Sequence, residues 1–355
     1  MVESSGERII RVGVIGTGYG ARVHVPVLQK MSGVKVVGLV GKQHEKTCAI
    51  AKEAGIPWSP ASAKDLIQSS DVDAITMAVP PTEQPDLAVF AFENGKHVLC
   101  EKPLAVTPEG ARRIADAWKR SGRIGMVDFC YRLVPEFVQF KTLLAQGVCG
   151  RIHSILAEWI LSNRLNQSLT FHWKGQEELG GGVLQNFGVH VLDYLFHDSK
   201  AVNLLGAKRD VFVPQRNDDQ GKVHRSTGDE VATGLYESDG GVAVMVHLSL
   251  VSAPPLGHRV TARGSKATLE ISNLNPESPA GPFSLWLYDN SGNRHCLSLA
   301  EDWKTSGMTD LFSRVATQFI QAIHGNNGEA EPSIACGVRA CELVNAFSHC
   351  SQLHS

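Results

Sequence analysis

The amino-acid sequence predicts an α/β protein of two domains: a parallel sheet covered by helices, then an α+β domain with a large open, mostly antiparallel sheet. Two patterns predict this. In the first third of the chain, short β-branched runs alternate with helical segments. After about residue 150, extended segments follow one another and are separated by turn residues. A length of 355 residues suits two domains of roughly 100–200 residues each.

The first domain is predicted over residues 1–128 and consists of alternating strands and helices. Its apolar runs are short, as expected for buried strands. The predicted strands are 9–15, 34–40, 73–79, 97–100 and 124–129, and the helices run from the glycine cluster to about 30, then over 45–54, 83–93 and 108–120.

The second domain is predicted over residues 129–355. A helix follows a glycine-rich element and ends near 196, and two helices at 309–324 and 337–349 close the chain. The C-terminal helix is a candidate for packing against the first domain. The predicted strands are 151–161, 202–213, 230–237, 242–251, 259–271 and 283–288.

Charge and composition exclude several classes of protein. The net charge is −2 and no long run of one sign occurs, which argues against a nucleic-acid surface or a polybasic membrane patch. No apolar run approaches the ~18 residues of a membrane helix, and residues 1–7 lack the apolar core of a signal peptide. Eight dispersed cysteines without a Cys-x-x-Cys pair predict reduced thiols and no metal site. We therefore expect a cytoplasmic protein.

A glycine loop follows the first predicted strand and precedes a helix. The residues Gly16, Thr17, Gly18, Tyr19, Gly20 and Ala21 match G-x-G-x-x-A. The first glycine permits a tight turn, the second lets the backbone approach a pyrophosphate, and the small Ala21 allows the helix to pack closely on the strand. The helix start then presents N–H groups to the phosphates. This context predicts a Rossmann dinucleotide-binding domain.

The end of the second strand indicates which dinucleotide binds. A carboxylate there would hydrogen-bond the ribose 2′-hydroxyl and repel a 2′-phosphate. The sequence has Gly41 and Lys42 instead, and Lys42 could pair with a phosphate. We expect NADP in preference to NAD; the alternative is that Lys42 is a solvated surface lysine.

Glu101, Lys102 and Pro103 follow the fourth strand, at the edge of the sheet where α/β proteins bind ligands. Pro103 fixes the local backbone direction, so Lys102 is held by a rigid turn. An ammonium group at this point could stabilise a developing alkoxide or polarise a carbonyl. A surface salt bridge between neighbours is the alternative.

With these motifs in place, the chain resembles the glucose–fructose oxidoreductase/inositol dehydrogenase/rhizopine catabolism (Gfo/Idh/MocA) family. The likeness covers nearly the whole chain. The segments that carry it are the glycine loop, Pro80-Pro81, residues 95–103, Tyr131-Arg132, residues 147–150, residues 180–182 and residues 337–346.

The resemblance implies NAD(P)-linked oxidation or reduction of a sugar, a polyol or a related hydroxyl or carbonyl compound. It implies that Lys102 acts at the reacting carbon and that the open sheet of the second domain forms a homodimer or homotetramer. It also places Val79, Pro80, Pro81, Glu101, Lys102 and Trp173 beside the cofactor. Gln84 stands where many members have a histidine, and we expect it to contact the cofactor.

The family's second catalytic stretch follows the triple glycine at residues 180–182. Asn186, His190, Asp193 and His197 lie on one predicted helix stripe, and Leu184, Phe187, Val191 and Leu195 lie on an apolar one. His190 is the expected proton acceptor, since an imidazole titrates near neutral pH. A buried core histidine is the alternative.

Asn186 departs from the family pattern, which frequently has an aspartate at this position. An amide orients an imidazole or a hydroxyl but does not offset an imidazolium charge. We expect Asn186, His190, Lys102, Tyr131 and Arg132 to contact substrate, with an ion pair as the alternative role for Arg132. His24 could reach the cofactor or fill a packing gap.

The sequence therefore predicts an NAD(P)-dependent dehydrogenase or reductase in which Lys102, His190 and Asn186 are catalytic. The competing hypothesis is a sensor of dinucleotides or sugars without turnover, similar to the galactose-pathway repressors that share this fold. Asn186 favours that alternative, and the presence of both Lys102 and His190 argues against it.

Overall fold

The computed structural model describes residues 8–165, 170–297, 307–325 and 330–352. The chain forms two compact units: residues 1–130 with 308–338, and residues 131–307 with 339–355. The sequence predicted that residues 308–338 belong to the second domain, and the structure groups them with the first. The pattern of apolar residues shows that a helix has a buried side but not which sheet it covers.

The first unit is built on a five-stranded parallel sheet in the order β2-β1-β3-β4-β5. The strands are β1 (Ile10–Ile15), β2 (Val34–Val40), β3 (Ala74–Met77), β4 (His97–Cys100) and β5 (Gly125–Val127). Helices cover the sheet, so its strand residues are almost all buried and their sequences are continuous apolar runs. The order reverses direction beside β1, which is where open α/β sheets bind ligands.

Nine α-helices occur in the described residues. They are α1 (Val25–Gln29), α2 (His44–Glu53), α3 (Ala63–Gln68), α4 (Gln84–Glu93), α5 (Pro108–Ser121), α6 (Pro135–Ala145), α7 (Val189–Phe196), α8 (Met308–Gly325) and α9 (Ile334–Gln352). None of them combines the length and the apolar content needed to cross a membrane.

Local chemistry sets the ends of α5, the helix that follows the Glu101-Lys102-Pro103 loop. The Thr107 hydroxyl accepts a hydrogen bond from the Gly110 amide at 3.2 Å, and Pro108 occupies the first helical position. Gly122 ends the helix in the left-handed region with φ of 61°. The start of α5 is therefore fixed close to the loop.

The second unit contains an eight-stranded sheet in the order β15-β14-β13-β12-β6-β11-β10-β7. All neighbouring strands are antiparallel except β6 and β11. A separate hairpin pairs β8 with β9. The strands are β6 (Ile152–Ile160), β7 (Val202–Asp210), β8 (Gln215–Asn217), β9 (Val223–Arg225), β10 (Val231–Ser238), β11 (Val242–Ser249), β12 (Gly257–Gly264), β13 (Ala267–Asn273), β14 (Ser284–Asp289) and β15 (Arg294–Cys296).

The structure corrects several predicted elements. The single strand predicted over residues 259–271 is the hairpin of β12 and β13, which turns at Ser265 and Lys266. The alternation of apolar and polar residues continues across this turn, so the sequence is typical of one continuous strand. Helices α3 and α6 and the strands β8, β9 and β15 were not predicted; three-residue strands are too short to show a period.

One face of the large sheet is buried and the other is partly exposed. In β10 and β11, Tyr236 and Val246 are fully buried, whereas the paired Leu235 and Met245 are 39% and 47% exposed. Leu205 on the neighbouring β7 is 58% exposed. An apolar patch of Leu205, Leu235 and Met245 therefore crosses three adjacent strands.

Candidate functional site

Three strands of the parallel sheet end in register, and this places two sequence motifs on one edge. Ile15 at the end of β1 pairs with Met77 of β3, which pairs with Cys100 of β4. The glycine loop follows Ile15 and the Glu101-Lys102-Pro103 loop follows Cys100. The two motifs thus lie at the same carboxyl edge, with only β3 between them.

The glycines of the first loop have different structural roles. Gly16 has φ of 119°, and a Cβ there would overlap the carbonyl oxygen of Ala78. Gly20 packs closely on β1, since a Cβ there would lie 3.2 Å from Val14 Cγ1. A Cβ on the exposed Gly18 would have no protein atom within 4 Å. The backbone at Gly18 is therefore open to a ligand, as a pyrophosphate requires.

The glycine loop leads into a different helix from the one predicted. Residues 20–24 form a π-helical turn, and α1 follows directly. The close packing on the strand that the sequence predicts for Ala21 occurs at Gly20; Ala21 is only half-buried. Insertions of this kind are frequent at functional sites.

Gly41 and Lys42 follow β2. A Cβ at Gly41 would lie 2.5 Å from Thr17 Cγ2, so Thr17 leaves no space for an acidic side chain at that position. The Lys42 ammonium lies 2.6 Å from Glu83 Oε1, and the two side chains are 74% and 40% exposed. Lys42 therefore already has an acidic neighbour.

Gln84 holds the loop that carries Lys102. Its side chain is fully buried, and its Nε2 donates to the carbonyl oxygens of Glu101, Pro103 and Leu104 at 2.7, 3.2 and 3.0 Å. Its Oε1 accepts from the Glu101 amide at 3.1 Å. The sequence predicted a cofactor contact for Gln84. The structure corrects this, because both amide atoms of the side chain bind the loop backbone.

The Glu101 carboxylate points into the first unit. Its Oε1 lies 3.0 Å from His24 Nε2, and its Oε2 accepts from the Lys102 amide at 3.3 Å. The His24 ring is stacked on Phe312 of α8, with centroids 3.9 Å apart. Burial lowers the pKa of His24 to about 4. His24 therefore packs and hydrogen-bonds inside the unit, as in the packing alternative.

Lys102 is half-buried at the end of this loop. Burial lowers the pKa of its ammonium, and the nearby Glu101 carboxylate opposes that shift. An ammonium group at Lys102 is therefore only partly solvated and has the Glu101 carboxylate beside it as a compensating negative charge. Val79 and Pro80, which follow β3 on the same edge, are half-buried, and Pro81 is buried.

In the second unit, the triple glycine packs against Asp229. Gly182 has φ of 99°, and a Cβ there would overlap Asp229 Oδ1. The Asp229 side chain accepts a hydrogen bond from the Leu184 amide at 3.3 Å, and its backbone oxygen accepts one from Val183 at 2.7 Å. Asp229 thereby fixes the start of the helical segment that carries His190.

Asp229 was not identified from the sequence. It is 3% exposed, and burial raises its pKa to about 7, although the Arg209 guanidinium opposes the shift. The feature of the sequence that could have pointed to Asp229 is Thr227-Gly228-Asp229, a turn-forming stretch just before a strand. Asp229 lies 45 positions after Leu184, whose amide it binds, and the periodicity of a single element gives no information on such a contact.

Asn186 and His190 lie on consecutive parts of one helical segment. Residues 184–188 form a π-helical turn, and α7 continues from Val189. Asn186 Nδ2 donates to the carbonyl oxygen of Gly182 at 2.7 Å. An aspartate could not donate this bond. Asn186 therefore binds the backbone of the triple glycine directly. This hydrogen bond is one physical reason for the departure from the family pattern.

The predicted polar stripe divides into separate interactions. His190 is 5% exposed and packs edge-on against Tyr131, with centroids 4.9 Å apart. Asp193 forms a buried ion pair with Arg132 at 3.3 Å, which favours the ion-pair role for that arginine. His197 bonds to the Asp193 carbonyl oxygen at 3.2 Å. The stripe is thus not a single polar face.

Two further predicted contact residues also have partners or neighbours within the second unit. The Tyr131 hydroxyl donates to the Pro279 carbonyl oxygen at 3.2 Å, and the side chain is 4% exposed. Trp173 is half-buried in a short turn, with the Lys174 ammonium 5.7 Å from its ring centroid. Its contact with the nicotinamide stays a prediction.

Comparison with known proteins identifies the family. Residues 10–129 match the model of an oxidoreductase family with an NAD-binding Rossmann fold, and residues 137–270 match the C-terminal domain of the same Gfo/Idh/MocA family. The chain belongs to the Gfo/Idh/MocA family of oxidoreductases.

Similar proteins share this family's fold. An uncharacterised oxidoreductase from Synechocystis is 28% identical over 75% of this chain and 72% of its own length. The levoglucosan dehydrogenase of Pseudarthrobacter phenanthrenivorans is 28% identical over 58% of this chain and 55% of its own length. A solved levoglucosan dehydrogenase with NADH and L-sorbose superposes with a TM-score of 0.88 at 20% identity, covering 98% of both chains.

Family membership confirms the predicted fold class and the NAD(P)-dependent oxidoreductase activity. The first unit of this Gfo/Idh/MocA protein brings the glycine loop and Lys102 to one sheet edge. The second unit brings Asn186, His190 and Asp229 to one helix start. The convergence of Lys102 with His190 on a single substrate stays a prediction.

Asp229 makes stability depend on pH in a defined direction. Its pKa is near 7 in the folded chain and near 3.8 when unfolded, so between these values the folded state binds the extra proton. Stability contributed by Asp229 therefore falls as pH rises from about 4 to about 7 and then stays level.

We expect the free energy of unfolding of Asp229→Asn, minus that of the wild type, to be more positive at pH 8 than at pH 5. The reason is that the amide carries no charge to bury. Urea unfolding at both pH values measures this difference. Asp219→Asn, at an exposed position of the same unit, serves as the control. An equal difference at the two pH values would contradict the assigned shift.

Proposed function

We propose that the protein oxidises or reduces a carbon bearing a hydroxyl or carbonyl group in a sugar or polyol, with Lys102 stabilising the substrate oxygen and His190 transferring its proton. One observation carries the proposal. An open glycine turn and a half-buried lysine, in a loop whose backbone Gln84 holds, share the carboxyl edge of one parallel sheet. A dinucleotide bound along this edge would bring its reactive ring towards the lysine.

The bound nicotinamide would supply the hydride chemistry, and the protein supplies position and charge. Lys102 holds the substrate oxygen and stabilises the negative charge that develops there, an effect strengthened where water is scarce. His190 takes the hydroxyl proton in the oxidative direction and returns it in the reductive one. The bond from Asn186 to Gly182 and the Tyr131 ring hold the helical segment around His190.

A sugar substrate is supported by the similarity to a levoglucosan dehydrogenase. The test is a panel of sugars, anhydrosugars, polyols and keto compounds, incubated with both cofactors in both redox states. Absorbance of the reduced nicotinamide reports turnover. Cofactor binding without an absorbance change across the panel would instead support the sensor hypothesis.

We expect Lys102→Met to lower kcat by about a hundredfold or more, because the methionine keeps the volume but removes the charge that stabilises the oxygen. Cofactor affinity, measured by fluorescence titration, should change little. Lys119→Met on the exposed surface of α5 is the matched control. Full activity of the Lys102 variant would refute its catalytic role.

We propose that NADP binds more tightly than NAD. Gly41 removes the carboxylate that would repel a 2′-phosphate, and Lys42 supplies a cation beside it, shared with Glu83.

Fluorescence titration should give a lower Kd for NADPH than for NADH. Lys42→Ala should weaken NADPH binding selectively, and Glu83→Gln should strengthen it, because the competing carboxylate is lost. Lys46→Ala, at an exposed position of α2, is the control. Tighter binding of NADH by the wild type would refute the preference.

A homodimer or homotetramer through the large sheet is also proposed. The exposed Leu205, Leu235 and Met245 form a patch that a second copy would cover. Sedimentation should show an oligomer that Met245→Asp weakens; a wild-type monomer at high concentration would oppose this proposal.

The eight free cysteines favour a reducing compartment, and we propose a cytoplasmic location. Cell fractionation tests this location. Recovery of the native protein outside the cytoplasm would contradict it.

A further inference from the structure

A buried cluster of three titratable groups lies behind Lys102. Glu101 follows β4, Asp128 follows β5, and His24 ends the π-helical turn after the glycine loop. One side-chain atom of each residue lies within 4.8 Å of the other two. His24 is fully buried and Asp128 is 2% exposed. The mechanism proposed above uses none of the three as an acid or a base.

Two of these groups are carboxyl groups in hydrogen-bonding contact with each other. Burial and the neighbouring Glu101 carboxylate raise the pKa of Asp128 well above its usual range. Asp128 is buried and the Glu101 side chain is only 14% exposed. Two carboxylates in contact at such a place cannot both be ionised, because the repulsion between them is poorly screened. One proton must therefore lie between Asp128 and Glu101.

The surroundings determine which carboxyl group holds the proton. Glu101 accepts from the Lys102 amide, faces His24 Nε2 at 3.0 Å and lies beside the Lys102 ammonium. The lowered pKa of His24 keeps this ring neutral. Because Glu101 Oε1 can only accept when it is ionised, His24 Nε2 carries the ring's hydrogen and donates a hydrogen bond to it. Within the part of the chain that the structure describes, Asp128 has no comparable set of donors, and its Oδ1 is buried with no hydrogen-bond partner there. The negative charge therefore belongs to Glu101.

We propose that Asp128 is a neutral carboxylic acid whose O–H donates a hydrogen bond to Glu101. Together with His24, it keeps one negative charge on Glu101, next to Lys102. Asp128 is thus a positioning residue, which acts through Glu101 on the lysine. This inference rests on the proposed catalytic role of Lys102. The charges balance, since Glu101 offsets the Lys102 ammonium and the other groups are neutral.

Among the described residues, the titratable groups that face this pair are His24, Lys102 and the thiols of Cys100 and Cys130. Burial raises the pKa of Cys100, so that thiol is neutral. Burial raises the pKa of Cys130 well above its usual range, so the thiol is neutral. The spacing of the three ligand atoms would also suit a divalent metal. The 3.0 Å separation of His24 from Glu101 and the contact between the carboxyl groups are hydrogen-bond geometries, and they favour a shared proton.

The decisive variant is Asp128→Asn, which keeps a hydrogen-bond donor in the same place but cannot ionise. If Asp128 is a neutral donor, the asparagine should retain kcat/KM within about threefold, and the alkaline limb of the pH profile should not move. Asp128→Ala removes the donor and should lower kcat/KM by about tenfold or more. Asp116→Asn, at an exposed position of α5, is the matched control.

A direct readout does not depend on turnover or on the substrate. In D₂O at pH 8 to 9, above the pKa of about 7 at Asp229, the infrared spectrum of the wild type should contain the carbonyl stretch of a protonated carboxyl group, and this band should disappear in Asp128→Asn. Absence of the band in the wild type would overturn the inference. This measurement also decides the case if Asp128→Ala fails to fold.

Two other results would overturn the inference. If Asp128 were ionised, the asparagine would remove a negative charge near Lys102, and the alkaline limb would shift to lower pH. The inference would also fail if the purified wild type contained one divalent ion per chain and Asp128→Ala lacked it. A metal would then occupy the place of the shared proton. If the wild type reduces or oxidises no sugar in the panel, the proposed function fails, and the infrared band still tests the proton on Asp128.

Discussion

The loop after β4 places a lysine and a glutamate where little water can reach them, and many polar contacts of the first unit serve this loop. A charge removed from water is costly unless other groups solvate it. Gln84 holds the loop backbone at four points, and His24 and the Lys102 amide bind the Glu101 carboxylate. These contacts are inside the unit and do not need a ligand. The site around Lys102 is therefore largely preorganised, which is the property that electrostatic stabilisation of a reaction requires.

In the second unit, close backbone packing holds the helical segment that carries His190 in place. Two glycines of the triple glycine lie against backbone or carboxylate atoms that a side chain would overlap, and Asp229 receives the helix start. Asn186 belongs to this arrangement through its bond to Gly182. The exchange of the family's frequent aspartate for an amide therefore has a structural explanation and does not by itself indicate loss of catalysis.

The sequence was sufficient for the fold class and for the motifs at strand ends. The parallel strands were predicted to within two residues, because buried runs of β-branched residues are distinctive. Gln84, Asp128 and Asp229 show why the rest was not predictable. Each acts on a segment 17 or more residues away, and such contacts depend on tertiary packing, which has no local period. The predicted stripe from Asn186 to His197 failed for a related reason: a π-helical turn shifts the register, and each side chain meets a different neighbour.

The stacking of His24 on Phe312 has a consequence for how the chain matures. Phe312 belongs to α8, nearly 300 residues after His24, so the nucleotide-binding unit cannot complete its packing before α8 has been synthesised. A nascent chain of 130 residues already contains the parallel sheet but not the aromatic ring that covers His24. Because domains usually fold as they emerge from the ribosome, this unit stays incompletely packed until α8 has emerged. The order of synthesis thus makes the surroundings of the Glu101-Lys102-Pro103 loop depend on a helix that is made much later than the loop itself.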